Sequence, residues 1–70
     1  MDDDLEAARE SVLRAYPGAR SLRVSDEGRV WYWIVSGTGY TLAAAVDERK
    51  AWLDSAKLVA GLFREMGQVG

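Results

Sequence analysis

Carboxylates are the side chains of this sequence that could act directly in chemistry. The chain contains no histidine and no cysteine, so the usual groups for proton transfer near neutral pH and for thiol nucleophiles are missing. Carboxylates can act as general acids and bases, but a 70-residue chain has little room to enclose them in a water-excluding pocket. We therefore predict that the protein is not an enzyme and has no catalytic, cofactor-binding or metal-binding residues.

Two short segments allow a chemical and a structural interpretation. The cluster Asp2-Asp3-Asp4 could bind a metal ion or mimic nucleic-acid phosphates, but acidic residues also suit the start of a helix. The segment Gly37-Thr38-Gly39 could be read as a phosphate loop. It lacks the lysine and the following helix that such a loop requires. We interpret the first segment as a solvated helix start and the second as a hairpin turn.

Length and composition indicate one small folded domain. The chain has 70 residues, of which 49% are hydrophobic, and a net charge of −2. Such a short chain buries only about 60% of its unfolded surface, so it lies near the lower limit for independent folding. Residues 1–20 lack an apolar run behind a basic start, and no apolar segment is long enough to span a bilayer. We therefore expect a cytoplasmic protein without membrane contact.

The spacing of apolar and turn-forming residues predicts an α+β domain with the order α-β-β-β-α. Leu5, Ala8, Val12 and Tyr16 share one helical face, and strand-forming residues dominate the middle of the chain. Short connections favour a three-stranded antiparallel meander, with both helices on one face in a two-layer arrangement. The predicted elements are a helix over residues 4–16, strands over 20–25, 30–36 and 40–46, a helix over 48–66 and a frayed end over 67–70.

The strand register predicts which side chains share a face of the sheet. If both hairpin loops have an even length, Leu22 lies opposite Trp33, and Trp33 in turn lies opposite Leu42. A three-residue first loop would instead divide the bulky residues between the two faces. The even register gives a predicted core face of Leu22, Val24, Trp31, Trp33, Val35, Tyr40, Leu42, Ala44 and Val46. In this register Val35 faces Tyr40, and Trp31 faces Ala44.

The last helix is expected to cover that core face. Its apolar stripe comprises Trp52, Ala56, Val59, Phe63 and Met66, flanked by Leu53, Ala60 and Leu62. We interpret the tryptophans as core residues, because aromatic side chains dominate core burial; the alternative is an aromatic binding platform. Leu58 lies off this stripe, where it is either a second packing contact or an exposed interface residue.

The opposite sheet face is expected to be unusually apolar for a solvated surface. Tyr32 and Ile34 would lie at its centre, and a monomer rarely exposes such a patch. The predicted partner-binding residues are Arg23, Val30, Tyr32, Ile34 and Thr41. We expect this face to bind a protein partner, a second copy of the chain, or both, while an exposed strand edge offers another route.

The α-β-β-β-α order resembles the double-stranded RNA-binding domain fold over nearly the whole chain. The acidic start Asp2-Asp3-Asp4, the short loop Asp26-Glu27-Gly28-Arg29 and the acidic opening Asp47-Glu48 depart from the elements with which that family binds RNA. The resemblance therefore implies the fold and not RNA binding. The alternative function is nucleic-acid binding through four arginines, namely Arg14, Arg20, Arg23 and Arg29.

The chain also resembles small acidic accessory proteins of phages and prophages, including anti-CRISPR inhibitors. The resemblance rests on size, on the absence of cysteine and histidine, on the acidic start, and on the segments Tyr16-Pro17-Gly18-Ala19-Arg20 and Ala51-Trp52-Leu53-Asp54-Ser55-Ala56. It implies a non-catalytic protein that blocks a host protein by stoichiometric binding, whereas a homodimer is expected from the apolar sheet face. No functional residue can be transferred, because such proteins share no common site.

Overall fold

The structure confirms an α+β domain with the order α-β-β-β-α. This computed structural model describes the backbone of residues 3–67 and the side chains of residues 3–62. The elements are α1 (Asp3–Ala15), β1 (Arg20–Asp26), β2 (Arg29–Val35), β3 (Thr41–Ala45) and α2 (Glu48–Gly67). The strands form one antiparallel sheet in the order β1-β2-β3. The predicted frayed end begins at residue 67, which belongs to α2, and residues 68–70 lie outside the described chain.

The first hairpin has the predicted even loop. Asp26 pairs with Arg29, which leaves two loop residues, Glu27 with φ 49° and Gly28 with φ 78°. Two successive positive φ angles define a type I′ turn, whose twist matches that of the flanking strands. The register pairs Leu22 with Trp33 as predicted.

The second hairpin differs from the prediction because its loop is longer and its strands are bulged. Ser36 donates its N–H to the Tyr40 carbonyl oxygen at 2.8 Å, and its Oγ accepts the Tyr40 N–H at 3.0 Å. These bonds place Tyr40 in the loop, so Val35 pairs with Thr41, and the register shifts between Ile34 and Val35. The predicted pairing of Val35 with Tyr40 is therefore wrong.

The remaining partners in this hairpin are displaced by the same change. Trp33 pairs with Ala44, whereas the even register predicted Leu42. The predicted pairing of Trp31 with Ala44 is wrong for the same reason. A shift of two residues preserves the face on which a side chain lies, so Trp33 and Ala44 still share one side of the sheet.

The helices cover the opposite face of the sheet from the one predicted. α2 packs against β2 and β3, and α1 packs against α2. Ile34 is 0% exposed at the centre of the core, whereas Trp33 is 39% exposed. The predicted core face is thus largely the outer face, and its members Tyr40 and Val46 are also exposed. Val35 is nevertheless buried, and Leu42 packs against the core, as predicted for both.

Side-chain size gives a physical reason for this inversion. Alternation identified two apolar faces, and the helices cover the one on which Ala43 and Ala45 surround Ile34. Small side chains on the strand allow the helix to approach closely, and Trp52 of α2 then fills the space between the layers. A face that already carries Trp31 and Trp33 has less room for another tryptophan.

The apolar stripes of the helices are largely as predicted. In α1, Ala8 and Val12 are buried and Leu5 packs against the same core, as does Tyr16 directly after the helix. In α2, Trp52 is buried as expected. The other members of the α2 stripe are buried Val59, half-buried Leu53 and Ala56, and exposed Ala60 and Leu62. Phe63 and Met66 lie outside the residues whose side chains are described.

Two small residues of α2 belong to the core although the stripe omitted them. Ala51 and Ser55 are both fully buried. The Ser55 hydroxyl donates a hydrogen bond to the Ala51 carbonyl oxygen at 2.8 Å, which satisfies its polarity within the helix. Leu58 is 43% exposed and therefore lies largely outside the core.

Candidate functional site

The outer face of the sheet is the main apolar surface that the helices leave uncovered. We call it the open face and define it by Leu22, Val24, Trp31, Trp33 and Ala44. Alternation along β1 and β2 and the cross-strand register place these side chains on one side. Leu22 is 38% exposed and Trp33 39%, and Val24 and Trp31 are half-buried. Contiguous exposure of this kind is typical of an interaction surface.

The two ends of the open face carry different charges. Arg20 lies at one end, where it pairs with Val35 across the sheet. Asp26, Glu27 and Arg29 lie at the other end, in and beside the type I′ turn. Within the described chain, Arg20, Asp26 and Arg29 make no ion pair within 4 Å. Their charges are therefore available to a binding partner.

A groove of about 600 Å³ opens beside Arg20. Leu22 and Trp33 form its apolar wall, and the backbone of the second hairpin loop closes its end through Gly37 and Gly39. The groove thus extends the open face toward a positively charged corner. It is a shallow extension of the same surface and not a separate enclosed site.

The predicted partner-binding residues do not form a surface. Ile34 is fully buried, and Tyr32 is half-buried and packs against the core. Val30 is half-buried and Arg23 is exposed, both on the helix side of the sheet. Thr41 is exposed but lies on the opposite side, because it pairs with Val35. The prediction failed because it assigned the helices to the wrong face.

The four arginines of the nucleic-acid alternative are not brought together either. Arg14 donates to the Glu10 carboxylate on α1 at 3.0 Å. Arg20 and Arg29 lie at opposite ends of the open face, and Arg23 lies on the other side of β1. A basic stripe is the usual requirement for binding phosphates, and these positions do not form one.

The acidic and glycine-rich segments have structural roles where they are described. Asp3 and Asp4 lie in the first turn of α1, and Arg49 of α2 contacts the Asp4 carboxylate at 3.6 Å. The segment containing Gly37 and Thr38 forms the predicted hairpin loop. Among the described residues, no three acidic side chains come close enough to hold a metal ion. Neither helix, over its described length, is long and apolar enough to cross a membrane.

Comparisons with known proteins do not add to this picture. The chain matches no protein-family model, no curated protein and no solved structure. The geometry of the described residues is therefore the basis for the functional argument.

The open face was not among the predicted contact surfaces, because Trp31 and Trp33 were predicted to belong to the core. An aromatic platform was the alternative, and Trp33 occupies such an exposed position. The sequence did indicate that both faces of the sheet are apolar, so that one apolar face would be left without a helix over it. Alternation alone could not identify the face that stays uncovered.

Proposed function

We propose that this chain is a non-catalytic protein-interaction domain and that the open face is its contact surface. The observation that supports the proposal is the exposure of Trp33 beside Leu22 at the centre of the sheet. Tryptophan is enriched among residues that dominate binding energies, especially where neighbouring side chains exclude water. Such a domain acts by occupying its partner. Stoichiometric blocking of a host protein, which the resemblance to phage accessory proteins implies, is one biological role for such a domain, and self-association is the other.

The charge distribution favours a protein partner over a nucleic acid. The chain is net acidic, at −2, and the arginines Arg20 and Arg29 flank the open face without lining it. Binding to nucleic acid depends mainly on phosphate contacts and weakens steeply with salt. Burial of Leu22 and Trp33 depends little on salt, since apolar burial is not screened.

A pair of matched leucine variants tests the contact surface. Leu22 is 38% exposed on the open face and Leu58 is 43% exposed on α2. We expect Leu22→Asp to abolish association of the chain with itself or with a purified partner identified from the source organism. Leu58→Asp should retain that association. Both variants are first checked for folding by circular dichroism.

The outcomes separate the alternatives clearly. If Leu58→Asp loses binding and Leu22→Asp keeps it, the contact surface is α2 and the proposal is wrong. Tight binding to single-stranded or duplex nucleic acid at low salt, lost at high salt, would instead support the nucleic-acid alternative. Trp33→Asp serves as a second open-face variant if Leu22→Asp fails to fold.

A further inference from the structure

We infer that the partner at the open face is a second copy of this chain, bound face to face with its strands running in the opposite direction. This inference rests on the proposed function of the open face and identifies its occupant. Three features of the described chain support this arrangement: the small side chains of its core, the charges at the two ends of the open face, and the central position of Trp31 and Trp33.

The described part of the core consists largely of small side chains. Among residues 3–62, the core cluster has eight buried members, and four of them are alanines, namely Ala8, Ala19, Ala45 and Ala51. Two of the three tryptophans, Trp31 and Trp33, lie on the open face instead. Domains of this size commonly need a further source of stability, such as oligomerisation. A second copy would bury the bulky side chains that the first leaves exposed.

The end charges select one twofold arrangement. A twofold axis parallel to the strands would bring the Arg20 ends of two copies together, which is repulsive. A second possible axis is perpendicular to the strands and lies in the plane between the two sheets. It makes the strands of the second copy run in the opposite direction to those of the first. It brings Arg20 of each copy to the end of the other copy that carries Asp26, Glu27 and Arg29, whose charges sum to −1. Complementary charges of this kind set the orientation of an interface.

The distances permit this arrangement. Asp26 lies six positions after Arg20, so their Cα atoms are about 20 Å apart along β1. Sheets packed face to face lie about 10 Å apart, a gap that an arginine and an acidic side chain can bridge together. An axis midway between these residues passes at the level of Arg23 and Tyr32. The interface is then isologous, with each contact occurring twice.

The same axis brings the large side chains together at the centre. The cross-strand row of Leu22 and Trp33 then faces the second copy's row of Val24 and Trp31. Aromatic and aliphatic side chains at the centre of an interface, with charges at the rim, are typical of stable protein contacts. Edge-to-edge pairing of β1 would leave these four residues exposed.

Measurement of mass against concentration is the first test. We expect sedimentation or light scattering to show a change from 7.7 kDa to twice that mass below about 1 mM. Trp33→Asp should keep the chain monomeric throughout this range. Trp33 belongs to the central strand, so this variant would not affect a dimer formed through the β1 edge.

A charge exchange tests the orientation. At low salt we expect Arg20→Glu alone and Asp26→Lys alone each to raise the dimer dissociation constant by about threefold to tenfold. The double variant R20E/D26K should return to within about twofold of wild type, because the complementary ends are merely exchanged. Arg23→Glu is the matched control, since it makes the same charge change on the other side of β1. It should leave the dissociation constant unchanged.

The outcomes distinguish this inference from the proposed function. A wild-type chain that stays monomeric up to about 1 mM overturns the homodimer. The proposed function would stand if Leu22→Asp still abolished binding to a purified partner protein. A dimer that survives Trp33→Asp indicates a strand-edge contact and overturns the inference. If the increases in dissociation constant of the two single variants add up in R20E/D26K, the copies are oriented differently, which also overturns it.

Discussion

Gly18 and Gly37 meet backbone to backbone where the connection from α1 to β1 touches the second hairpin loop. A Cβ atom added to Gly18 would lie 2.9 Å from the Gly37 Cα, and one added to Gly37 would lie 3.0 Å from the Gly18 Cα. Cβ atoms in proteins essentially never approach other heavy atoms below 3.0 Å. The contact joins the first connection of the chain to the loop that borders the open face.

The close approach predicts a selective effect of alanine at these two glycines. We expect Gly18→Ala and Gly37→Ala each to lower the free energy of unfolding by about 1–3 kcal/mol, because backbone must shift to admit a methyl group. Gly61→Ala is the control: its Cβ meets nothing within 4 Å. It should raise stability by about 0.5–1 kcal/mol through helix propensity. Urea denaturation of the three variants measures these changes, and equal effects would contradict the contact.

Adjacent residues of β2 test which sheet face the helices cover. We expect Ile34→Asp to unfold the chain, since a carboxylate at a fully buried position has neither water nor a partner charge. Trp33→Asp should remain folded, because Trp33 lies on the open face. Circular dichroism and proton NMR dispersion at about 1 µM and at higher concentrations distinguish the two outcomes. The reverse result would show that the helices cover the other face.

The first hairpin turn predicts a stabilising substitution. Glu27 has a φ of 49°, a left-handed conformation that asparagine adopts more readily than glutamate. We expect Glu27→Asn to stabilise the domain by about 0.5–1 kcal/mol, which raises Tm by about 2–8 °C. Glu27→Gln removes the same charge without the same backbone preference and should change Tm less. Equal Tm values for the two variants would argue against strain at this position.

Local sequence patterns predicted much of the architecture because they act over short distances. The apolar spacing of Ala8 and Val12 identified the buried face of α1, and the Asp47 carboxylate accepts the Arg49 N–H at 3.0 Å at the start of α2. The turn around Gly28 gave the correct register for β1 and β2. The second register depended on Ser36, whose backbone N–H donates to Tyr40 and whose hydroxyl oxygen accepts from it. Alternation could not predict these two bonds.

The candidate site was less predictable for a different reason. Alternation showed correctly that Leu22 and Trp33 share one face and that Ile34 lies on the other. It contained no information on which face the helices would cover, because both faces are apolar. The interpretation of Tyr32 and Ile34 as a contact surface was therefore wrong, although the expectation of an uncovered apolar sheet face was correct.

The sequence by itself determined the order of the elements, the first hairpin register and the division of side chains between two faces. These features follow from spacing along the chain and from the backbone preferences of individual residues. Only the tertiary structure decided that α2 covers Ile34 and Ala45 and leaves Trp33 exposed. That choice depends on whether a helix carrying Trp52 fits against small or large side chains, which is a property of packing between distant segments.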